Sequence, residues 1–140
     1  MADNYTPAPA PSKAEFNALS QQVDTLNGKI EKQDKTSELN KGNYPADVTE
    51  YNDGTHLYVA GNVKTLIISI KMVNVANLQT VFNLDNMIPS AYRPSYDICF
   101  CLDNGDYQGI TKGIIQSIGR VRLTPQKTGT TYAMGAVTWV

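Results

Sequence analysis

The sequence predicts a mainly β protein: an antiparallel, jelly-roll-like sandwich or barrel preceded by a short N-terminal coiled-coil helix. Residues 12–32 show helical periodicity, and nothing after them does. From Thr55 onward, six to eight short alternating runs are separated by glycine, asparagine and proline. Runs of this length and spacing are typical of antiparallel sandwiches and barrels.

Residues 1–11 form the first predicted segment, a flexible proline-rich tether. They contain the run TPAPAP, whose prolines favour an extended polyproline conformation and are excluded from a helix interior. A peptide that docks on a partner and a disordered tail are the two alternatives.

Residues 12–35 are predicted to form an oligomerisation helix. Ser12 and Glu15 match a capping box, in which each side chain binds a backbone amide of the other's turn. Apolar residues then follow at alternating spacings of three and four, which is a coiled-coil seam: Phe16, Leu19, Val23, Leu26 and Ile30. So short a helix is marginal alone in water, and a narrow stripe favours self-association over packing on the chain's own β domain.

Residues 36–54 are polar and rich in turn-forming residues, and they are predicted to be a neck between the helix and a β head over 55–140. In the head, Leu66, Ile68, Ile70 and Met72 alternate with polar residues, which indicates a half-buried strand. The dipeptide Asn104-Gly105 predicts a hairpin with a type I′ turn, which needs positive φ at both positions.

Another predicted strand, SYDICFCLD, has Tyr96, Ile98, Phe100 and Leu102 on its inner face and two cysteines on the opposite face. Cys99 and Cys101 lie about 6.5–7 Å apart along such a strand, at or beyond the usual limit for a disulfide. Two reduced thiols are therefore expected, with an unusual pairing as the alternative.

Several predicted strands are apolar on both faces, although one face of a small antiparallel domain usually meets water. An outer face that includes Cys99, Cys101, Val137 and Trp139 is therefore expected to contact a neighbouring subunit.

The composition argues against several classes of protein. Twelve basic residues balance thirteen acidic ones, so no global charge favours nucleic acid or an anionic membrane as a partner. The longest apolar run is too short to cross a bilayer, and the N-terminus lacks the pattern of a secretory signal. A soluble protein made in a cytoplasm is expected.

Three stretches carry a family resemblance: MIPSAYRPSYDICF, GIIQSIGRVRL and GTTYAMGAVTWV. Together with the N-terminal helix, they resemble the receptor-binding heads at the tail tips of siphophages that infect lactic acid bacteria and other Gram-positive hosts. The resemblance covers Ser12–Val140, without the shoulder domain of longer members. The matching positions are Ile88, Pro89, Tyr92, Arg93, Pro94, Ile118, Gly119, Val121, Leu123, Gly129 and Tyr132.

The resemblance implies a homotrimeric adhesin in the virion, made in the bacterial host cytoplasm, that recognises host cell-wall saccharide near subunit boundaries. It also implies that residues 1–11 attach the protein to a tail or baseplate protein. The number three comes from the resemblance, because Val23 and Ile30 at a positions with leucines at d positions favour a parallel dimer, a pattern that Phe16 fits poorly.

Catalysis is not expected from the sequence. Asp103 and Asp106 could be the carboxylate pair of a glycosidase, but they flank a tight turn, where solvated acidic residues are common. His56 is the only histidine, and phosphate-loop and calcium-loop patterns are absent, so no cofactor and no metal are predicted.

Saccharide binding needs an aromatic ring for the sugar's C–H surface and planar polar groups for its hydroxyls. The candidates of these types are Tyr107, Asp103, Asn104, Asp106, Arg120, Arg122, His56, Trp139 and Tyr132. Arg120 and Arg122 are predicted to point outward from one strand. A structural tail or baseplate connector without a ligand, and a cell-wall polysaccharide depolymerase, are the alternative functions.

Overall fold

The computed structural model describes residues 7–105 and 109–140. The chain divides into two compact units, a helical unit that ends at Glu31 and a β unit that runs from Lys32 to Val140.

The helical unit contains helix α1, Lys13–Ile30, and its capping box is confirmed. The Glu15 amide donates to Ser12 Oγ at 3.2 Å, and the Ser12 amide donates to Glu15 Oε2 at 2.8 Å. The helix ends five residues before the predicted boundary at 35, because Glu31 is extended and Gln33 and Asp34 pair with a strand. The five seam side chains are 47–69% exposed, and their packing against other copies stays a prediction.

The β unit contains nine strands within the described residues. They are β1 (Gln33–Asp34), β2 (Val48–Glu50), β3 (His56–Ala60), β4 (Val63–Val75), β5 (Phe82–Leu84), β6 (Ile98–Asp103), β7 (Ile110–Ile115), β8 (Val121–Pro125) and β9 (Gly129–Trp139). Their order is β1-β3-β4-β9-β6-β7-β8-β5, and β2 pairs with the free end of β4 beside β3. All of these pairings are antiparallel, and the sheet curls into a half-barrel. The prediction of a mainly β, antiparallel fold is confirmed, and the jelly-roll connectivity stays a prediction.

The long strands β4 and β9 form the centre of this sheet. They pair continuously from Lys64 opposite Trp139 to Met72 opposite Thr131, and a bulge precedes the last pair, Val75 with Gly129. By contrast, β9 meets β6 through the single pair Met134 and Asp103. The sheet therefore has two halves, joined at one point along this seam.

The core lies on the inner face of the curled sheet. The predicted alternation in β4 is confirmed, since Leu66, Ile68, Ile70 and Met72 are all at most 2% exposed. The expectation that Val137 and Trp139 contact a neighbouring subunit is wrong. Both are buried in the chain's own core, because the register of β9 against β4 turns them inward with Ala133.

The segment 36–54 is part of the β unit, which corrects its assignment as a separate neck. Leu39 and Val48 are buried in the core, and the strand β2 within this segment pairs with β4. The side-chain amides of Asn40 and Asn43 donate to the carbonyls of Asn86 and Asp85, which holds the segment against the loop after β5. The head therefore begins at Lys32 and not at residue 55.

The hairpin between β6 and β7 is confirmed, but its turn is longer than predicted. Gly105 has a φ of 79°, whereas Asn104 lies outside the positive-φ region, so the pair does not form a type I′ turn. The Asn104 amide instead donates to the Gly109 carbonyl at 3.1 Å, closing a loop that contains 106–108. Asp106 and Tyr107 lie outside the described residues.

The predicted faces of β6 are correct within the strand. Leu102 is buried, Ile98 and Phe100 are half-buried against the core, and both cysteines are exposed. Tyr96 is 69% exposed, because it precedes the first residue of β6 and escapes the alternation.

Gly113 makes room for the Phe100 ring on the inner face of this half of the sheet. The two residues are opposite each other in the β6–β7 ladder, and a Cβ at position 113 would overlap the ring. Glycine is needed at position 113 because the ring of Phe100 occupies the space that a side chain there would fill.

We predict that Gly113→Ala lowers the free energy of unfolding by about 1–3 kcal/mol, because Phe100 must leave its position in an already packed core. Chemical denaturation followed by tryptophan fluorescence measures the change. Gly42→Ala is the matched control, since nothing lies within 4 Å of its added methyl group, and we expect a change within about 0.5 kcal/mol. Equal stability of both variants would contradict the packing described for Phe100.

Candidate binding face

The outer face of strands β6, β7 and β8 is the surface of the sheet opposite the core. Cross-strand pairing arranges its side chains in rows, of which one contains Cys101, Lys112 and Thr124, and the next contains Cys99, Ile114 and Arg122. This face is well defined because residues directly opposite each other in a ladder point to the same side.

A groove of about 430 Å³ lies on the β7–β8 part of this face. We call it the basic groove. Its side chains come from two strands, from the residue after β8 and from the loop before β5: Lys112, Ile114, Arg122, Thr124, Gln126, Leu78, Gln79 and Val81.

Two cations line the basic groove without a partner. Lys112 and Arg122 are both exposed, and neither side chain has an ion pair or hydrogen bond within the described part of the chain. Lys112 and Arg122 face outward from adjacent strands and lie in neighbouring rows, so their charges are on one surface. An exposed cation without a partner can bind an external acceptor without first breaking an internal bond.

Neutral polar and apolar groups complete the groove. The Gln126 side-chain amide donates to the backbone carbonyls of Thr124 and Leu78 at 3.2 and 3.4 Å, which positions its Oε1 without using it. Thr124 adds a hydroxyl, while Ile114 and Leu78 add apolar surface. The groove therefore combines cations, an amide oxygen, a hydroxyl and apolar contacts.

Arg120 differs from Arg122 in having an internal partner. It precedes the first residue of β8, and its Nε donates to Asp85 Oδ1 in an ion pair. Its charge is therefore already matched, whereas Arg122 lies within the strand and faces outward.

Two further candidates are buried, which corrects their assignment to a saccharide-binding surface. Asn104 is fully buried, and its Oδ1 accepts a hydrogen bond from Thr111 Oγ1 at 2.8 Å. Trp139 is 4% exposed, and its indole N–H donates to the Tyr92 carbonyl at 2.9 Å. Both side chains turn inward and fill the core, so neither presents a surface to a sugar.

Asp103 is on the same outer face as Cys99 and Cys101, at the end of β6. Its Oδ1 accepts a hydrogen bond from the Gly105 amide, which stabilises the start of the loop. The structure thus places Asp103 and Arg122 on one face, but on its two outer strands with β7 between them.

His56 lies on the other half of the sheet, beside a separate groove of about 370 Å³ that also includes Asp53, Tyr58 and Met134. Both ring nitrogens have partners: Nε2 lies 2.8 Å from the Asp53 carbonyl, and Nδ1 lies 3.3 Å from Thr36 Oγ1. The Thr36 hydroxyl also accepts from the Leu57 amide, so it donates to Nδ1 while Nε2–H donates to the carbonyl. These bonds give His56 a structural role in holding residue 36 against β3.

Two tyrosine rings near this groove are also engaged by other side chains. The ammonium group of Lys32 lies 3.7 Å from the centroid of the Tyr58 ring, a cation–π contact. The rings of Tyr132 and Tyr51 have centroids 4.4 Å apart and are tilted. Neither ring is an unoccupied platform for a sugar.

The groups with shifted pKa values lie away from the basic groove. Tyr92 donates a hydrogen bond to Glu38, and this bond, followed by Lys35, lowers the pKa of that carboxyl group. Burial and then the nearby Glu50 raise the pKa of Tyr44 far above its ordinary value. Thr36 lowers the pKa of Asp34 through hydrogen bonds. These shifts accompany structural contacts of the segment 34–50.

The sequence did not single out Lys112, Thr124, Gln126 or the loop residues Leu78 and Gln79. Lys112 carried one usable signal, since it is the only charged residue in the run ITKGII. Its proximity to Arg122 depends on the register of β7 against β8, which the sequence does not display.

Two kinds of feature, a metal-binding cluster and a membrane-spanning helix, are absent from the described residues. Within residues 7–105 and 109–140, no group of three or more histidine, cysteine, aspartate or glutamate side chains is arranged to hold a metal ion. In the same ranges, no helix has both the length and the apolar character needed to span a lipid bilayer.

Comparison of the chain with family models, curated proteins and solved structures found no match.

We predict different stability effects for Arg120, which precedes β8, and Arg122, which lies within it. Arg120→Ala removes the partner of Asp85, and we expect a loss of about 0.2–1 kcal/mol in the free energy of unfolding. Arg122→Ala removes no internal bond, so we expect a change within about 0.5 kcal/mol. Denaturant titration measures both, and a larger loss for Arg122 than for Arg120 would contradict its role as an unengaged surface cation.

Proposed function

We propose that this protein is a receptor-binding adhesin of a phage tail, which binds host cell-wall saccharide in the basic groove and assembles as a homotrimer through α1. In this proposal the protein is not an enzyme. The groove recognises the saccharide, the helix joins three copies of the chain, and residues 1–11 attach the assembly to a tail or baseplate protein.

The observation that carries the proposal is the pair of unpartnered cations in the basic groove. Lys112 and Arg122 are exposed and have no partner in the described ranges, and they flank a groove with an amide oxygen and a hydroxyl. Saccharides bind through many hydrogen bonds to planar and charged groups, and through apolar contacts to their C–H surfaces. The mixed lining of this groove fits such a ligand better than a purely apolar or purely charged one.

The apolar stripe of α1 supports the oligomeric part of the proposal. Its five side chains are about half exposed or more, and the helix has 18 residues. A helix of this length with a narrow a/d stripe gains its stability by packing against others of its kind.

Several copies would turn weak single sites into strong attachment. Linked sites raise the effective concentration of the second and third binding events and can increase overall affinity by about 10²–10⁴ without any new contact. A shallow, open groove is adequate for an adhesin under this condition, because no single site has to bind tightly.

The N-terminal segment supports attachment to another virion protein. Residues 7–12 are exposed and lie outside regular secondary structure, and the three prolines within them favour extended conformations. An extended segment of low conformational entropy can lie along a partner's surface, as polyproline ligands do.

We predict that the doubly substituted chain Lys112→Gln, Arg122→Gln binds isolated host cell-wall polysaccharide at least about tenfold more weakly than the unaltered chain. Each lost charged hydrogen bond is worth about 1.5–3 kcal/mol. A screen of cell walls from lactic acid bacteria identifies the ligand, and calorimetry with soluble fragments then measures affinity per site.

The matched control is Lys13→Gln with Lys71→Gln, which removes two positive charges outside the groove. We expect unchanged affinity for this control. Equal binding by both double variants would contradict the groove assignment. A protein that binds no wall saccharide but captures another virion protein through residues 1–31 would be a connector, and release of reducing ends would identify a depolymerase.

A further inference from the structure

Two thiols occupy successive outward positions of β6, and no function described above uses them. Cys99 and Cys101 are free and exposed, and both lie on the outer face. A void of about 350 Å³ lies over them, bordered by Lys112 and Ile114 of the neighbouring strand.

The spacing of these thiols is unfavourable for a disulfide. Outward residues in one strand are separated by about 6.4–6.8 Å, whereas a disulfide usually has its two Cβ atoms about 3.5–4.5 Å apart. Closing an S–S bond of about 2.05 Å would therefore require distortion of a strand that is held in its ladder from Ile98 to Asp103.

The same spacing suits a metal ion held between two sulfur atoms. A linear arrangement with metal–sulfur bonds of about 2.3 Å places the sulfur atoms about 4.6 Å apart. Side chains on Cβ atoms about 6.5 Å apart reach this separation by leaning toward each other, without moving the backbone. Thiolates are soft ligands and select soft cations, among which Cu(I) accepts two-coordinate geometry.

We propose that Cys99 and Cys101 form a two-thiolate site for a soft d¹⁰ cation, with Cu(I) as its representative. The two thiols lose two protons when one Cu(I) binds, so the loaded site carries one net negative charge. Lys112 is directly opposite Cys101 in the ladder and is exposed, and its ammonium group offsets this charge. The void over the sulfur atoms leaves room for the metal ion.

Hard cations are not favoured at this position. The next outward residue of β6 is Asp103, whose Oδ1 already accepts the Gly105 amide proton. Because both ligands are thiolates, binding weakens as pH falls and protons compete for the sulfur atoms.

The test is an anaerobic titration of the reduced full chain with Cu(I), in competition with the chelator bathocuproine disulfonate. We expect one Cu(I) per chain, a thiolate-to-metal absorption band in the ultraviolet, and weaker binding at lower pH. Cys99→Ser and Cys101→Ser should each bind at least about tenfold more weakly, since chelation by two ligands is lost.

A matched control keeps two outward thiols but separates them. Cys101→Ser with Asp103→Cys places the thiols at 99 and 103, about 13 Å apart, and we expect it to bind as weakly as the single variants. Retention of full affinity by this control or by either serine variant would overturn the site. So would an absence of binding by the unaltered chain, or a rise in the number of associated chains on loading, which would indicate that Cu(I) bridges chains. Circular dichroism checks that each variant is folded.

Discussion

The antiparallel pairing of β4 and β9 is the interaction on which the rest of the β unit depends. It runs over nine consecutive residue pairs and one more after a bulge, and its inner face carries Leu66, Ile70, Ala133 and other core residues at or near zero exposure. β2 and β3 pair with the opposite edge of β4, while β9 contacts β6. Without the pairing of β4 and β9, the core residues of the two halves would have no common surface on which to pack.

The contact between the two halves explains why the candidate site is built on β6, β7 and β8. These strands share one ladder pair with β9 and one side-chain bond, from Thr111 Oγ1 to the Tyr132 carbonyl. Their position is therefore fixed mainly by inward packing of residues such as Leu102, Ile115 and Leu123. Packing uses only one face, which leaves outward positions available for Lys112, Arg122 and the two cysteines. The inner face of these strands therefore maintains the fold, and the outer face is available for the candidate site.

Local patterns predicted local structure well, and long-range register was the main source of error. The capping box of Ser12 and Glu15 and the alternation in β4 depend on neighbours within four residues, so the sequence displays them. Trp139 depends on its register against a strand some seventy residues away, and it was assigned to an outer face. Leu39 and Val48 are isolated apolar residues in a polar stretch, so their place in the core had no periodic signal. In the candidate site, the alternation of residues in the sequence predicted that Arg122 faces outward. Its proximity to Lys112 depends on the register of β7 against β8, which the sequence does not display.

In the proposed function, the chain acts as an assembly of copies joined through the stripe of α1. Sedimentation equilibrium of the full chain at micromolar concentration tests it most directly, with Leu19→Asp, Leu26→Asp as the comparison. We expect three times the chain mass of 15.4 kDa for the unaltered protein, and the single-chain mass for the variant, because each new carboxylate would be buried against its copies in the other chains at the seam. A single-chain mass for the unaltered protein would contradict self-association, and a mass of two chains would contradict the trimer.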